Sequence, residues 1–180
     1  MEALDLCYMS AGRLSRLVQS QEVSPVEIVD VHLARIEATE PVLNSFITLL
    51  PDQARAAARR AEEEIRGGNY RGPLHGIPFG LKDLFNTAGV RTTSGSRIFD
   101  TFVPKEDCTV AARLHHAGAI LLGKFNMHPF AYGPTGENQD YGHMHNPWDP
   151  ELVTGGSSGG SGSAAAAGQC TITTGSDTGG

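Results

Sequence analysis

Lys82 closes a short stretch in which Ile77, Phe79 and Leu81 alternate with Pro78 and Gly80, and two glycine-rich turns follow far downstream, at 155–163 and 175–180. The first turn, Gly-Gly-Ser-Ser-Gly-Gly-Ser-Gly-Ser, runs directly into Ala164 to Ala167. A glycine-rich turn that opens a helix presents several backbone N–H groups and can cradle a phosphate. The Gly-Lys-Ser/Thr ending of a phosphate loop is absent here, and glycines at 155, 156, 159, 160 and 162 have the wrong spacing for a dinucleotide fingerprint. A Gly-x-Ser-x-Gly elbow is missing too, so a hydrolase of that type has no local support. What is left is a serine cluster, a lysine at a strand end and a second glycine turn one helix and one strand further on. That is the inventory of a Ser/Lys acyl-transfer site. A serine hydroxyl needs a positioned base, and a lysine serves only when neutral. Bringing a lysine pKa from about 10.4 to about 7.5 amounts to roughly 4 kcal/mol, so the fold must enclose Lys82.

The elements that position these residues follow from periodicity. Ser10 to Gln19 carries an apolar stripe of Leu14, Leu17 and Val18. Ser24-Pro25-Val26-Glu27 combines an N-cap serine, a first-turn proline and a glutamate placed to return the cap, and Val29, Leu33 and Ile36 give the buried face. A third helix is expected from about Asp52 to Ile65, with Gly67-Gly68 as its stop. A strand should end at Lys82; Thr109 should cap a helix stopping near Gly118; Ala119 to Leu122 reads as a strand buried on both faces, and Cys170 to Thr174 as another. Helices followed by alternating strand and helix indicate an α/β layered fold.

Composition narrows the function classes. There are 14 Lys plus Arg against 20 Asp plus Glu, a net charge of −6, which disfavours a nucleic-acid-binding surface. The 39% hydrophobic fraction belongs to a folded chain. Acidic residues at the N-terminus and the lack of an apolar run near 18 residues lead to the expectation of a cytoplasmic protein without a membrane span. Cys7, Cys108 and Cys170 form no C-x-x-C pair, and the histidines, including His115-His116 and His143 with His145, read as core or surface residues rather than metal ligands.

Five ordered motifs carry a resemblance. Gly-Ile-Pro-Phe-Gly-Leu-Lys82-Asp, Gly-Lys-Phe-Asn126-Met127, Asn-Pro-Trp-Asp, Gly-Gly-Ser-Ser-Gly-Gly-Ser and Gly-Ser-Asp-Thr-Gly-Gly together resemble the amidase signature family over nearly the whole chain. The resemblance implies an α/β/α sandwich with a mixed central sheet, no metal or organic cofactor, and a Ser-cisSer-Lys triad. By motif, Lys82 is the base and Ser157 the bridging serine that follows a cis peptide bond. Thr178, Gly179 and Gly180 supply oxyanion-hole N–H groups, and Ser158 and Asp177 orient the loops. Phe130, Ala131 and Tyr132 are expected near substrate, though their aromatic rings suit core packing equally. Ser176 does not match the family nucleophile, which is the serine directly after the turn, one position past Gly180. Residues 1–180 are thus expected to be the N-terminal part of one domain, with 1–70 helical and 71–180 the start of the catalytic core, and to be inactive alone.

The expected substrate is a small-molecule amide, with no direct nucleic-acid or membrane partner. The same triad serves the glutaminase component of glutamyl-tRNA amidotransferase (its A chain), which works with partner subunits. A stand-alone amidase is preferred because Met127-His128-Pro129-Phe130-Ala131-Tyr132-Gly133 departs from the Met-Asp-Glu-Phe-Ala-Met-Gly type of that component. A noncatalytic binding module, in which Lys82 and Ser157 are dispensable, is the alternative from another class.

Overall fold

The computed structural model describes residues 2–177. Short helix α1 (Ala3–Cys7) precedes α2 (Ala11–Gln19), whose cap is the expected Ser10, its hydroxyl accepting the Arg13 N–H. In α3 (Pro25–Leu43) the Ser24 hydroxyl accepts the Glu27 N–H at 3.0 Å, and Ile28, Val29, Leu33 and Ile36 are buried. Asn44 ends the helix in the left-handed region, φ 51°, where its short amide is tolerated and donates to the Tyr141 and His143 carbonyls. Strand β1 (Phe46–Leu49) goes beyond the sequence expectation, because four residues between two strong helices give too little alternation to read. Helix α4 (Pro51–Arg66) buries Ala54, Ala58, Ala61 and Ile65, one stripe at helical spacing.

Strand β2 (Pro78–Lys82) ends where expected, and every residue of it is buried. Helix α5 (Thr109–His116) starts one residue earlier in its capping than expected, with Cys108 rather than Thr109 at the cap. Strand β3 (Ile120–Phe125) continues past Leu122 through Gly123 and Lys124. Two facts permit that extension. A Cβ at Gly123 would lie 2.3 Å from the Thr48 carbonyl oxygen, so only glycine lets β1 approach, and the Lys124 ammonium is 3.3 Å from the Asp83 carboxylate, so its charge can be buried. Helix α6 (Gly159–Ala166) begins inside the glycine/serine run instead of at Ala164. Gly160 explains this: a Cβ there would sit 2.4 Å from the carbonyl oxygens of Ser45 and Asn126, so the run is a close-approach surface. Strand β4 is only Ile172–Thr173, shorter than the expected 170–174.

The sheet order is β1-β3-β2-β4. Strand β2 is parallel to β3 and to β4, while β1 is antiparallel to β3, which makes the sheet mixed. One face packs Ile120, Leu122 and Phe125 against α3, α4 and Ala164 of α6; the other packs Phe79, Leu81 and Leu121 with Ala111 of α5. This is the α/β/α layering expected. All three cysteines are free, no helix among the described residues is long and apolar enough to cross a membrane, and among those residues no group of three or more His, Cys, Asp or Glu could hold a metal ion.

Candidate active site

The C-terminal end of β2 delivers Lys82 into the sheet face that α6 covers. Alternation puts Gly80 on the same face two residues earlier. A Cβ at Gly80 would lie 2.2 Å from the Phe125 ring, so the ring lies over the bare backbone and forms an apolar wall beside the lysine stem. Lys82 is fully buried. Its amide N–H donates to the Thr174 hydroxyl at 3.0 Å, and the Thr174 carbonyl in turn accepts the Ser161 hydroxyl at 2.7 Å, which fastens β2, the end of β4 and α6 together.

Ser157 reaches the lysine from the other side. The Gly156-Ser157 peptide bond is cis, and the Ser157 carbonyl accepts the His128 N–H at 3.0 Å. Gly156 fits because any Cβ there would meet Gly136 N at 2.7 Å and Gly133 O at 2.8 Å. The Lys82 Nζ lies 2.6 Å from Ser157 Oγ and 2.9 Å from Ser176 Oγ. Ser158 supports this grouping, since its hydroxyl is 3.2 Å from Ser176 N, whose N–H it accepts, and Ser158 opens α6. Ser176 is the residue that motif matching passes over; its place at the end of the last strand, inside the second glycine turn, is the available signal.

Burial pushes the Lys82 amine down to about 8, against the opposing pull of the nearby Asp177 carboxylate. At that value about a tenth of the amine is neutral at pH 7, roughly 300-fold more than for a lysine of ordinary basicity. The arrangement can therefore pass a proton from a hydroxyl at Ser157 to Nζ and back. Thr178, Gly179 and Gly180 lie outside the described residues. Phe130 is 52% exposed with its ring edge-on to Phe99, and Tyr132 is 93% exposed, so neither ring packs into the core formed by the described residues. Phe130 and Ala131 both have positive φ, 55° and 57°, and the Phe130 N–H donates to the Ser94 carbonyl, which bends this segment back next to the His128 anchor.

Two buried asparagines hold that segment. Asn126 donates to the Asn44 and Gly142 carbonyls, and Asn138 donates to Gly95 O and Met127 O, while Asn126 Oδ1 accepts the Met127 N–H at 2.8 Å. The sequence marks Asn126 only as part of a motif; nothing in it points to Asn138.

The Amidase family model matches residues 27–180. The glutamyl-tRNA(Gln) amidotransferase A chain of Synechococcus sp. (strain CC9605) is 50% identical over 172 residues, 96% of this chain and 35% of that protein. Its counterpart of the same name from Methylococcus capsulatus (strain ATCC 33009 / NCIMB 11132 / Bath) is 50% identical over 180 residues, 100% of this chain and 36% of the relative. The chain thus spans about a third of the length of these curated relatives. Among solved structures, fatty acid amide hydrolase superposes with a TM-score of 0.93 at 26% identity, over 98% of this chain and 31% of that one. Native peptide amidase from Stenotrophomonas maltophilia gives a TM-score of 0.87 at 34% identity, over 92% and 35%. Matching family residues across most of the chain, with the same fold in solved amidases, establish that this chain belongs to the amidase signature family.

Proposed function

We propose that the protein containing this chain hydrolyses a small carboxylic amide, in the cytoplasm, through a serine acyl-enzyme. The observation that carries this reading is the buried Lys82 Nζ 2.6 Å from the hydroxyl of Ser157, the residue that follows the cis bond. Neutral Lys82 takes the Ser157 proton while Ser157 takes the proton of the attacking serine, which family resemblance puts directly after the Gly-Ser-Asp-Thr-Gly-Gly turn. The serine oxygen forms the new C–O bond, the C–N bond breaks, and the proton returns by the same relay to the departing amine. Water then cleaves the ester by the reverse use of the relay. Backbone N–H groups of Thr178, Gly179 and Gly180 receive the oxyanion, each such donor contributing about 3 kcal/mol in comparable sites. Ser158 and Asp177 orient the turn, Ser176 holds the amine as its second partner, and the Phe130 to Tyr132 segment borders the substrate. The test is Lys82→Ala and Ser157→Ala in the full-length protein, assayed for ammonia or amine release. A loss of about a thousandfold or more is expected for each; activity within a few-fold of wild type for either would remove that residue from the relay, and a wild-type protein that releases neither ammonia nor amine would favour a noncatalytic binding module instead.

A second reading has its own support. The curated relatives named above are both amidotransferase components. Under this reading the amide is glutamine, and the ammonia passes to a partner protein. Glutamine-dependent ammonia release that appears only when partner subunits are added would select it; release from simple amides by the protein alone would select the stand-alone enzyme.

A further inference from the structure

Helix α4 and the start of β3 border a cavity of about 350 Å³ at the opposite end of the sheet from Lys82. In the parallel pair of β2 and β3, Pro78 is level with Ile120 and Lys82 with Phe125, so the cavity, which Ile120 lines, is about 15 Å from the amine at roughly 3.3 Å per residue. Part of its wall is apolar, made by Ala57 and Ala61 on one face of α4 and by Val90, Ala119 and Ile120. A cavity of this size holds a small organic ligand when an apolar wall is joined by a few polar groups.

The polar part of the wall carries one unpaired cation. Glu64 Oε1 accepts Arg71 Nη2 at 2.6 Å, and Glu64 Oε2 lies 3.1 Å from His75 Nε2. His75 Nδ1 accepts the Arg71 N–H at 3.1 Å and so carries no proton, which leaves the buried imidazole neutral. Burial lowers its basicity as well. A Cβ at Gly118 would lie 2.4 Å from the His75 ring, so glycine is what lets the ring take this place in the wall. The charge of Glu64 is therefore balanced by Arg71, whose hydrogen bond holds the Glu64 carboxyl below its usual range. Across the cavity, His115 is tied through Nδ1 to the Asp107 carboxylate at 2.9 Å, and Asp107 also accepts the Ala88 N–H; Asp107 itself is not part of the wall. Arg60, one turn before Glu64 on the same helix face, has no hydrogen bond or ion pair among the described residues, and neither has Gln53, two turns before Arg60. A guanidinium cannot give up its proton in a protein, so this charge persists at every working pH.

We infer that this cavity binds a small carboxylate with an apolar body, its carboxylate paired with Arg60 and hydrogen-bonded by the Gln53 amide, its body against Ala57, Ala61 and Ile120. Arginine matches a carboxylate through two parallel N–H bonds. A ligand that is only apolar leaves the guanidinium without a partner, and a bare anion leaves the apolar wall uncovered, so both halves of the molecule are needed. Acids of this class are what amide hydrolysis releases. Nothing in the arrangement depends on Lys82 acting as the base.

The test uses the full-length protein and benzoate as the probe, with benzyl alcohol, which lacks the charge, and acetate, which lacks the apolar body, as controls; binding is titrated by saturation-transfer NMR. The catalytic centre is first occupied with a fluorophosphonate, which reports an activated serine without knowledge of the substrate: serine oxygen bonds to phosphorus, fluoride departs, and the serine proton goes to the relay. Protein that is not phosphonylated is titrated as it stands, and that failure counts against the hydrolase reading alone. The expected result is one saturable benzoate site, at least about fivefold tighter than for either control, that weakens by about fivefold or more in Arg60→Ala and is lost in Ala57→Phe, whose ring fills the cavity. No saturation by benzoate up to about 20 mM, a smaller margin over either control, a smaller loss in Arg60→Ala, or binding retained in a folded Ala57→Phe overturns the proposal. Circular dichroism checks both folds. Arg60 is exposed, so its variant decides the outcome if Ala57→Phe does not fold.

Discussion

Lys82→Met should make the full-length protein more stable at neutral pH while abolishing hydrolysis. The amine is held near 8 in the fold against 10.5 when free, so the folded state disfavours its protonated form by about 3 kcal/mol, using about 1.4 kcal/mol for each pH unit. The sign follows from proton counting. Between pH 8 and 10.5 the unfolded chain binds more protons at this site than the folded chain, so wild-type stability rises across that window, and the full penalty stands below it. Methionine has nearly the same shape and no charge. It removes the penalty but leaves the Ser157 and Ser176 hydroxyls without their amine partner, a loss of about 1 kcal/mol each. The net expectation at pH 7 is a gain of about 1 kcal/mol. By pH 10 the wild-type penalty has dropped to about 1 kcal/mol, so the variant becomes less stable than wild type by about 1 kcal/mol. Urea unfolding of both proteins at pH 7 and pH 10 measures this crossing. A stability difference that is the same at the two pH values would refute the reasoning, because it would mean that Lys82 has the same basicity folded and unfolded.

Other predictions rest on separate features. Gly80→Ala drives a methyl group to 2.2 Å from the buried Phe125 ring, and should destabilise the fold by about 3 kcal/mol in a urea titration; a change under about 0.5 kcal/mol would contradict the packing described. Asn126→Ala strips two carbonyl partners and the Met127 N–H acceptor from the segment beside Ser157, so it should lower both thermal stability and fluorophosphonate labelling, the latter by about tenfold or more. His32 is buried between Ile28 O and the Thr171 hydroxyl, and burial lowers its basicity. Stability should therefore fall as pH drops below about 6.5, where the unfolded chain takes up a proton that the folded chain refuses, and His32→Gln should flatten that slope.

Much of the candidate site is legible in the sequence because its requirements are local. A buried strand ending in lysine, and serine between glycines ahead of an alanine run, are patterns that one segment displays by itself. What escapes is relational. The strand nature of Lys124 depends on Asp83 across the sheet, and without that partner a lysine after Leu-Leu-Gly reads as the end of a strand. Gly160 and Gly123 look like flexible positions in sequence, yet each is there because a carbonyl from another segment approaches where a Cβ would be. Ser176 escapes because motif matching assigns roles by position in a pattern, while its role at the amine follows from where β4 ends. For Phe130 and Tyr132 the sequence does not separate core from surface, since an aromatic pair in a loop has no periodicity to orient it; their exposure does.

The central claim is that a lysine made weakly basic by burial activates a serine through Ser157. The most direct measurement is the rate of fluorophosphonate labelling of the full-length protein from pH 6 to pH 10, in wild type and in Lys82→Ala. A lysine held at about 8 predicts a rate that climbs with a midpoint near that pH in wild type and is nearly lost in the variant. Labelling that titrates near 6.5, as histidine would impose, or that persists undiminished without Lys82, would contradict it.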